Sequence, residues 1–365
     1  MVQIMYKYHL NDVEWGEFFI GGREGIFDVC GTVTTHPSKL TQNGIIPRIT
    51  CAATDNGLEG FYNNPPTEKG GVLTVDSATI GYVSYQKNDF IATDHVEKIC
   101  AKNNGYISRE VGLFIKTSIE NSANSKYGYG YKFSQTRIKR QKIMLPIDDK
   151  NNPNWHFMEE YIKEREIKQR QDLKEYYKNR LLDLVICPEV LIDVEWGEFF
   201  VSDVFDTVQR GKRLTKVNQI DGEIPYISST ALNNGVDNFI GNTEKVRKSD
   251  NDLTLANSGS VGACFYHNYE YIASDHVTSL RLPNGSDTVY KFISVILWRL
   301  EEKYSFNREI NDTRIKREKI LLPIDKDGNP NWFYMENFIK NIEQKQIKNV
   351  LQYLDEYIYI YIYNV

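Results

Sequence analysis

The residues of this chain that are best suited to chemistry are clustered cations. Four Lys or Arg side chains lie within each of the two segments TRIKRQK (Thr136–Lys142) and TRIKREK (Thr313–Lys319), and a third group lies in QRGKRLTK (Gln209–Lys216). Closely spaced Lys and Arg neutralise phosphates, and Arg also makes paired hydrogen bonds to guanine. The pattern favours contact with nucleic acid. The alternative is a charged strand edge that resists aggregation.

Polar residues of nearby loops could add contacts to base edges, since Ser and Asn read bases in the major groove. Asn56 and Asn234 precede glycine, and we interpret these two as turn residues, because Asn-Gly is typical of tight turns. The candidate DNA-binding residues are, in the first half, His36, Lys39, Arg48, Thr54, Arg137, Lys139, Arg140 and Lys142, and, in the second half, Arg210, Lys212, Arg213, Lys216, Ser228, Ser229, Asn233, Arg314, Lys316, Arg317 and Lys319.

Catalytic and metal-binding patterns are weak. Asp94-His95 and Asp275-His276 are placed on strands, where adjacent side chains point to opposite faces, and no third group at ligand spacing accompanies them. A structural role is expected for both pairs. Asn64-Pro65-Pro66-Thr67 is similar to the Asn-Pro-Pro-aromatic motif of amino-methyltransferases, but Thr67 replaces the ring that would stack on a flipped base. We predict no catalytic residue and no metal site.

The composition sets the context for these residues. With 365 residues, of which 41% are hydrophobic, the chain can form two domains with cores of their own. Its net charge of −5 means that any positive DNA-binding surface must be local. Five scattered cysteines without a CxxC pair indicate neither a disulfide framework nor a zinc site, and favour a reducing cytoplasm. No secretion signal and no membrane span are expected, since the apolar tail YIYIYIYNV is too short to cross a bilayer.

The elements that must position these residues occur twice. DVEWGEFFI at Asp12–Ile20 returns as DVEWGEFFV at Asp193–Val201, and IATDHV at Ile91–Val96 returns as IASDHV at Ile272–Val277. The basic segments with their following LPID sequence return in the same order. A period of about 180 residues is too long for a solenoid and indicates two whole domains.

Each copy has the same predicted order of elements. EWGEFF is read as a short helix or strand, and IPRIT or IPYIS as a strand entering the Asn-Gly turn. A bent strand broken by Gly follows, then the IATDHV or IASDHV strand, a helix such as SDTVYKFISVILWRL, and the strand KIMLPI or KILLPI. The fold class is α/β (α+β), and Trp15 and Trp196 are expected to anchor the cores.

A long helix closes each copy. Asn154 caps a helix from Trp155 to about Val185 that stops at Pro188, and Asn331 caps one from Trp332 to about Tyr357. These helices are predicted to pair as a coiled coil, and the tail after them could pair as a strand or meet a partner. The predicted division is residues 1–154 and 189–331 for the globular domains, 155–188 for the first helix and 332–365 for the second helix and tail. The apolar residues expected to contact a partner are Leu173, Tyr177, Leu181, Leu184, Ile339, Ile342, Val350 and Leu354.

This layout resembles the specificity subunit of type I restriction–modification enzymes, and that of the related enzymes that cut on both sides of their site. The resemblance covers essentially the full chain and rests on EWGEFFVSDVFDTVQRGKRL, IPYISSTALNNGV, SGSVGACFY, IASDHV and the basic segment before LP. The first half departs from it, with GTVTTHPSKL in place of the QRGKRL segment.

The resemblance implies that two target-recognition domains each read one half of a split DNA target. It also implies that the helices set the spacing and hold two methyltransferase subunits, which would bind S-adenosylmethionine, with a motor-nuclease subunit as a further partner. The chain itself is then no enzyme and holds no cofactor. The alternative is a non-catalytic scaffold whose duplicated domains bind proteins, and in that case neutralising the cation clusters leaves function intact. A hydrolase would need a nucleophile and base that the sequence does not offer.

Overall fold

The computed structural model describes residues 7–78, 81–128, 130–185, 194–305 and 307–363, with side chains described up to residue 356. The chain divides into two compact units, Met1–Leu173 and Lys174–Val365. This division falls inside the first long helix, so the first unit carries most of that helix and the second unit carries its last turns. No helix in the described part is both long and apolar enough to cross a membrane.

The first unit combines small sheets with one packed helix. Its elements in chain order are β1 (Trp15–Phe19), β2 (Phe27–Gly31), β3 (Ile46–Ile49), β4 (Leu58–Tyr62), β5 (Val72–Asp76), β6 (Val83–Gln86), β7 (Ile91–Ala92), β8 (Val96–Ala101), α1 (Arg109–Ala123), α2 (Gln135–Arg140), β9 (Lys142–Pro146) and α3 (Trp155–Asp183). A four-stranded antiparallel sheet has the order β2-β8-β5-β6, a second sheet has the order β4-β3-β7 with β3 and β7 parallel, and β1 pairs with β9.

The second unit repeats this plan. Its elements are β10 (Trp196–Phe200), α4 (Val201–Val204), β11 (Thr207–Arg210), β12 (Asp221–Ile227), β13 (Val236–Ile240), β14 (Lys248–Ser249), β15 (Asp252–Ala256), β16 (Cys264–His267), β17 (Tyr271–Ala273), β18 (Val277–Arg281), α5 (Asp287–Trp298), α6 (Asp312–Lys316), β19 (Lys319–Pro323) and α7 (Trp332–Tyr363). The sheet orders are β11-β18-β15-β16 and β13-β12-β17-β14, and β10 pairs with β19.

The helix packed on each four-stranded sheet forms for the same local reasons in both units. Ser108 caps α1 and Ser286 caps α5, each accepting a hydrogen bond from the amide three residues later. Apolar residues three and four positions apart then face the sheet. The buried residues of this face are Val111, Phe114, Ile115 and Ile119 in α1, and Val289, Phe292, Ile293 and Leu297 in α5.

Two sequence expectations for the strands were wrong. The segments broken by Gly are not single bent strands but antiparallel pairs, β5 with β6 and β15 with β16. Gly81 and Gly262 take φ values of 88° and 90° in the connections, which L-residues with side chains rarely adopt. The IATDHV and IASDHV segments also divide, since β7 joins one sheet and β8 the other.

The tryptophans that begin β1 and β10 do not anchor the cores. Trp15 and Trp196 are 38% and 50% exposed. Each ring instead stacks on a phenylalanine of the packed helix, Trp15 on Phe114 and Trp196 on Phe292. The paired strands β9 and β19 bury Ile143, Leu145, Ile320 and Leu322, so these aliphatic residues of the ladders, and not the tryptophans, belong to the cores.

The long helices begin where the sequence predicts. The side-chain oxygen of Asn154 accepts a hydrogen bond from Phe157 N at 3.0 Å, and Asn331 accepts from Tyr334 N at 2.9 Å. Helix α7 continues to Tyr363, so the tail extends the helix and does not pair as a strand. Pro188, the predicted stop of the first helix, lies outside the described residues, as does the side chain of Tyr357.

Within the second unit, the last turns of α3 run antiparallel to α7. Arg180 makes a two-pronged ion pair with Glu343, at 2.6 and 3.0 Å, and Lys174 pairs with Asp355. The earlier residue of one helix meets the later residue of the other, which is the order of an antiparallel coiled coil.

The apolar residues predicted along these helices differ in burial. Ile347, which was not among the predicted residues, is buried (4% exposed) and lies one helical turn after Glu343, the partner of Arg180. Of the predicted residues, Leu184 and Leu354 are buried, Tyr177, Leu181, Ile339 and Val350 are half-buried, and Leu173 and Ile342 are exposed.

Candidate nucleic-acid interface

In the second unit, the basic loop after β11 is anchored on the turn Ser274–His276, which joins β17 to β18. The Gly211 amide donates to the Val277 carbonyl at 2.9 Å. The Arg210 guanidinium donates from Nε to the carbonyl of Asp275, so part of this side chain holds the turn. The loop therefore has a fixed base from which its remaining cations project.

Two further loops meet the same turn. The Asn257 amide donates to the His276 carbonyl at 2.8 Å, which brings in the connection between β15 and β16. The Ser274 amide donates to the Ile227 carbonyl at the end of β12, at 2.9 Å. The Ser260 amide donates to the Ser229 carbonyl, also at 2.9 Å. Thus the predicted Arg and Ser residues, far apart in sequence, lie around one turn. At this end Lys212, Arg213 and Lys216 are exposed, and Arg210, Ser228 and Ser229 are half-buried.

The basic segments Thr136–Lys142 and Thr313–Lys319 lie on the short helices α2 and α6 and at the start of the strands that follow. The sequence had predicted a basic stretch between a loop and a strand. In α2, Ile138 is buried, so the neighbouring cations are held at the surface. The Arg137 guanidinium lies 3.8 Å from the centre of the Tyr131 ring and donates to a backbone carbonyl. Lys142 pairs with Glu17 across the β1–β9 ladder at 2.5 Å.

The same arrangement holds in α6. Arg314 donates to the Glu309 carbonyl at 2.5 Å, and Lys319 pairs with Glu198 at 2.8 Å across the β10–β19 ladder. The Lys142 and Lys319 pairs are exposed, so water weakens them and both cations can exchange partners. Of the other cations in the two segments, Lys139 is half-buried, and Arg140, Lys316 and Arg317 are exposed.

The first unit has a poorer set of cations at the corresponding end. Arg48 is only 4% exposed; its guanidinium pairs with Glu59 and donates to the Thr35 carbonyl at 3.2 Å. We therefore assign Arg48 to the fold. The His36 ring accepts a hydrogen bond from Ser38 N as the cap of a short helical turn. Lys39 and Thr54 are exposed.

The Asn-Gly positions are turns, as the sequence indicates. Asn56 and Asn234 have φ values of 57° and 53°, in the left-handed region that Asn tolerates. The Asn56 amide nitrogen also donates to the Tyr85 carbonyl at 2.8 Å, which ties the turn to β6. Asn233 shares the left-handed backbone, with φ 49°, and its side chain is exposed.

Two buried polar groups of the second unit, at the end of β15 away from the turn Ser274–His276, were not found from the sequence. The Tyr271 hydroxyl donates to the Asp252 carboxyl at 2.7 Å, and His267 Nε2 lies 2.8 Å from the Thr254 hydroxyl. Burial raises the pKa of Asp252 to about 6 and lowers the pKa of His267 to about 4. Both groups are therefore shifted toward their neutral forms.

Metal-ligand chemistry is not evident in the part of the chain that the structure describes. No group of three or more His, Cys, Asp or Glu side chains there is arranged to hold a metal ion. The described cysteines, which are all free, are Cys30, Cys51, Cys100 and Cys264, and Cys187 lies outside the described residues.

A duplicated scaffold with exposed cations at its loops and on short helices has the features of a nucleic-acid recognition protein. Two matches to the type I restriction modification DNA specificity domain span residues 12–175 and 193–353. The chain belongs to this family.

Known proteins agree in sequence and in fold. The specificity subunit S.BcgI of the type II restriction enzyme BgcI from Heyndrickxia coagulans is 31% identical over 345 residues, which are 92% of this chain and 97% of that protein. The crystal structure of the S subunit of the type I restriction–modification system from M. genitalium has a TM-score of 0.52 at 11% identity, over 96% of this chain and 95% of that one.

These findings confirm the family and the tandem architecture predicted from the sequence. The chain is a specificity subunit with two target-recognition domains, the DNA-recognition component of a restriction–modification complex with partner subunits. Its relatives are specificity components, not catalytic ones, which confirms the prediction of a non-enzyme.

Proposed function

We propose that each unit reads one half of a bipartite DNA target, and that the long helices set the spacing and dock two methyltransferase subunits. Those subunits bind S-adenosylmethionine and carry the methyl transfer, and a motor-nuclease subunit is the further partner. The observation that carries the proposal is that one scaffold is repeated while its loops at the interface differ.

The loop difference can be located from backbone contacts. In the first unit, Thr32 N donates to Val96 O and Thr35 N donates to Ala92 O, at 3.3 and 2.9 Å. In the second unit, amides of the QRGKR loop donate to the repeat-equivalent Val277 and Ala273. The two loops thus begin at one position, but residues 31–35 of the first carry no charge, whereas residues 209–213 of the second carry three cations. Different loops on one scaffold are what two different half-sites require.

The helices support the spacing role by their length. Helices α3 and α7 have 29 and 32 residues, or about 45 Å each at the rise of an α-helix. This length is on the order of one turn of DNA, the separation at which paired half-sites present the same face.

The test is methylation-site mapping by long-read sequencing of a host that carries an active methyltransferase partner, with and without this chain. A split motif should appear only with the chain, and exchanging the loops of one unit should change only one half. An unchanged methylation pattern would contradict the proposal and favour the protein-binding scaffold.

The docking role is tested at the helices. Leu173→Asp places a charge on an exposed position and should release the methyltransferase without unfolding the helix, measured by co-purification. Leu184→Asp, at a buried position, should instead disrupt the helix pair itself. If the Leu173 variant retains its partner, this residue lies outside the docking surface.

A further inference from the structure

His276 lies in the turn around which the candidate DNA-binding loops of the second unit meet, although the sequence suggested only a structural role for it. The turn that contains it accepts a hydrogen bond from the Arg210 side chain, and the Asn257 amide, in the connection after β15, donates to the His276 carbonyl. The Gly211 amide donates to Val277, the residue directly after the turn. The backbone of the turn thus holds the loops together. The imidazole ring is exposed.

The ring is held on one side only. The hydroxyl of Ser258, which is 4% exposed, lies 2.7 Å from His276 Nδ1. Ser258 follows Asn257, whose side-chain oxygen accepts a hydrogen bond from Thr278 in the neighbouring strand at 2.9 Å. Among the residues that the structure describes, His276 Nε2 has no hydrogen-bond partner. One ring nitrogen is therefore occupied by a fixed hydroxyl and the other is available at the surface.

The first unit has no serine at the place of Ser258. Ser77 N donates to the His95 carbonyl as Asn257 N donates to the His276 carbonyl, so Ser77 corresponds to Asn257, and the next residue is Ala78. The Ser77 hydroxyl donates to the carbonyl of His95, not to its ring, at 2.8 Å. The His95 ring nitrogen Nε2 instead lies 3.6 Å from the Asp94 carboxylate. The first unit therefore has a histidine ring beside an anion where the second unit has a ring oriented by a serine. An anion beside the ring opposes approach to DNA, so the two positions are not equivalent in function.

We propose that His276 is a base-reading residue of the second unit and that Ser258 is its positioning residue. This inference rests on the proposed function. When the Ser258 hydroxyl donates to Nδ1, the proton of the neutral imidazole is on Nε2, which then donates to an acceptor. Guanine presents two acceptors, N7 and O6, in the major groove. A ring held in one orientation discriminates between base edges better than a flexible cation does, because its donor has a defined direction.

The test uses the full chain with its active methyltransferase partner and compares His276→Ala with the matched variant His95→Ala. Methylation mapping should show that His276→Ala relaxes one guanine-containing base pair in the second half of the motif, with about tenfold weaker discrimination there. The first half should be unchanged and reports folding and assembly in the same molecule. His95→Ala should leave both halves as they are.

Two results would overturn the inference. An unchanged motif would show that His276 does not read a base, and an equal loss of affinity for all sequences would show a phosphate contact. If His276→Ala abolishes all methylation, the variant His276→Gln, which keeps a hydrogen-bond donor, is tested next. Methylation that returns with altered discrimination supports base reading, and methylation that does not return rejects it. A wild-type chain that imposes no split motif contradicts the proposed function itself, which is a separate outcome.

The positioning role of Ser258 has its own readout. Ser258→Ala should relax the same base pair as His276→Ala, to a smaller extent, and the double variant should discriminate no worse than His276→Ala alone. If Ser258 were merely structural, its substitution would weaken binding to every sequence and add to the effect of His276→Ala.

Discussion

The two units place different residues at equivalent points of one scaffold, both in the loops and in the core. At the ladder position where the first unit pairs Val72 with Gln86, the second unit pairs Asp252 with His267. In both units the second residue of this pair is hydrogen-bonded to a threonine of the neighbouring strand. The bond joins Gln86 to Thr74 at 3.0 Å in the first unit and His267 to Thr254 in the second. The two units thus share the strand pairing and the hydrogen bond to threonine, and only the second unit adds a buried carboxyl, that of Asp252. A carboxyl is tolerated there because Tyr271 supplies a donor.

The largest expected effect is a difference between the two cores in how the free energy of unfolding depends on pH. Because the folded state holds the proton on Asp252 more tightly than the unfolded state does, the free energy of unfolding falls as pH rises from about 4 to 6. His267 acts in the opposite direction, because its pKa is lower in the folded state than in the unfolded state. Its contribution makes the free energy of unfolding rise as pH rises from about 4 to 6.5. Each contribution is about 3 kcal/mol, and in the wild type they oppose each other.

Single variants should reveal separately how Asp252 and His267 change the free energy of unfolding with pH. Asp252→Asn should leave a stability that increases with pH, and His267→Gln, which installs the first unit's residue, should leave one that decreases. Hydrogen exchange of amides in β15 and β18 of the full chain, corrected for intrinsic exchange, measures both. Parallel slopes in the two variants would contradict the assignment.

The next effect concerns the buried guanidinium of the first unit. Glu59→Ala removes the carboxylate partner of Arg48 and should lower the free energy of unfolding by about 2 kcal/mol, less than for a fully buried pair because Glu59 is 42% exposed. Urea unfolding of the full chain measures it. The control Glu17→Ala breaks the exposed pair with Lys142 and should cost under about 1 kcal/mol. A loss of DNA affinity without loss of stability would instead return Arg48 to the interface.

The loop comparison is tested by salt dependence. Replacing Lys212 and Arg213 by Ser should weaken DNA binding by about tenfold and lower the slope of log affinity against log salt by about 2, the release expected for two phosphate contacts. The reciprocal change Thr34→Lys adds a cation to the uncharged part of the first unit's loop and should raise that slope by about 1. Titrations of the assembled complex at several salt concentrations measure both, and slopes that do not move would place these loops away from the phosphates.

The smallest effect should be the same in both units. Asn154→Ala and Asn331→Ala each remove an N-cap hydrogen bond and should each cost about 1 kcal/mol, measured by urea unfolding. Asn→Asp at the same positions retains an acceptor and serves as the control. Strongly unequal costs would show that the two helix starts are not equivalent.

Local patterns predicted much of the fold. The duplication, the LPI strands, the α5 helix and both N-caps follow from neighbouring residues, since helix caps and strand alternation depend on nearby positions. The local pattern of EWGEFF left a short helix and a strand both open. The Asp-His segments were misplaced for the opposite reason. His95 has φ 65°, because the chain leaves one sheet there to enter another, and no local pattern shows such a change of sheet.

The sequence by itself determined that this protein has two similar domains, each closed by a capped helix, with cations concentrated in repeated segments. Only the tertiary structure decided which of those cations remain at the surface. Arg48 and Lys212 are both candidate cations in the sequence, the first on a predicted strand and the second in a loop, yet Arg48 is buried against Glu59 and Lys212 is exposed. Likewise, the ring of His276 is oriented by a hydroxyl from a different strand connection. Burial and orientation depend on residues brought together from distant parts of the chain, and spacing along the sequence does not encode which ones meet.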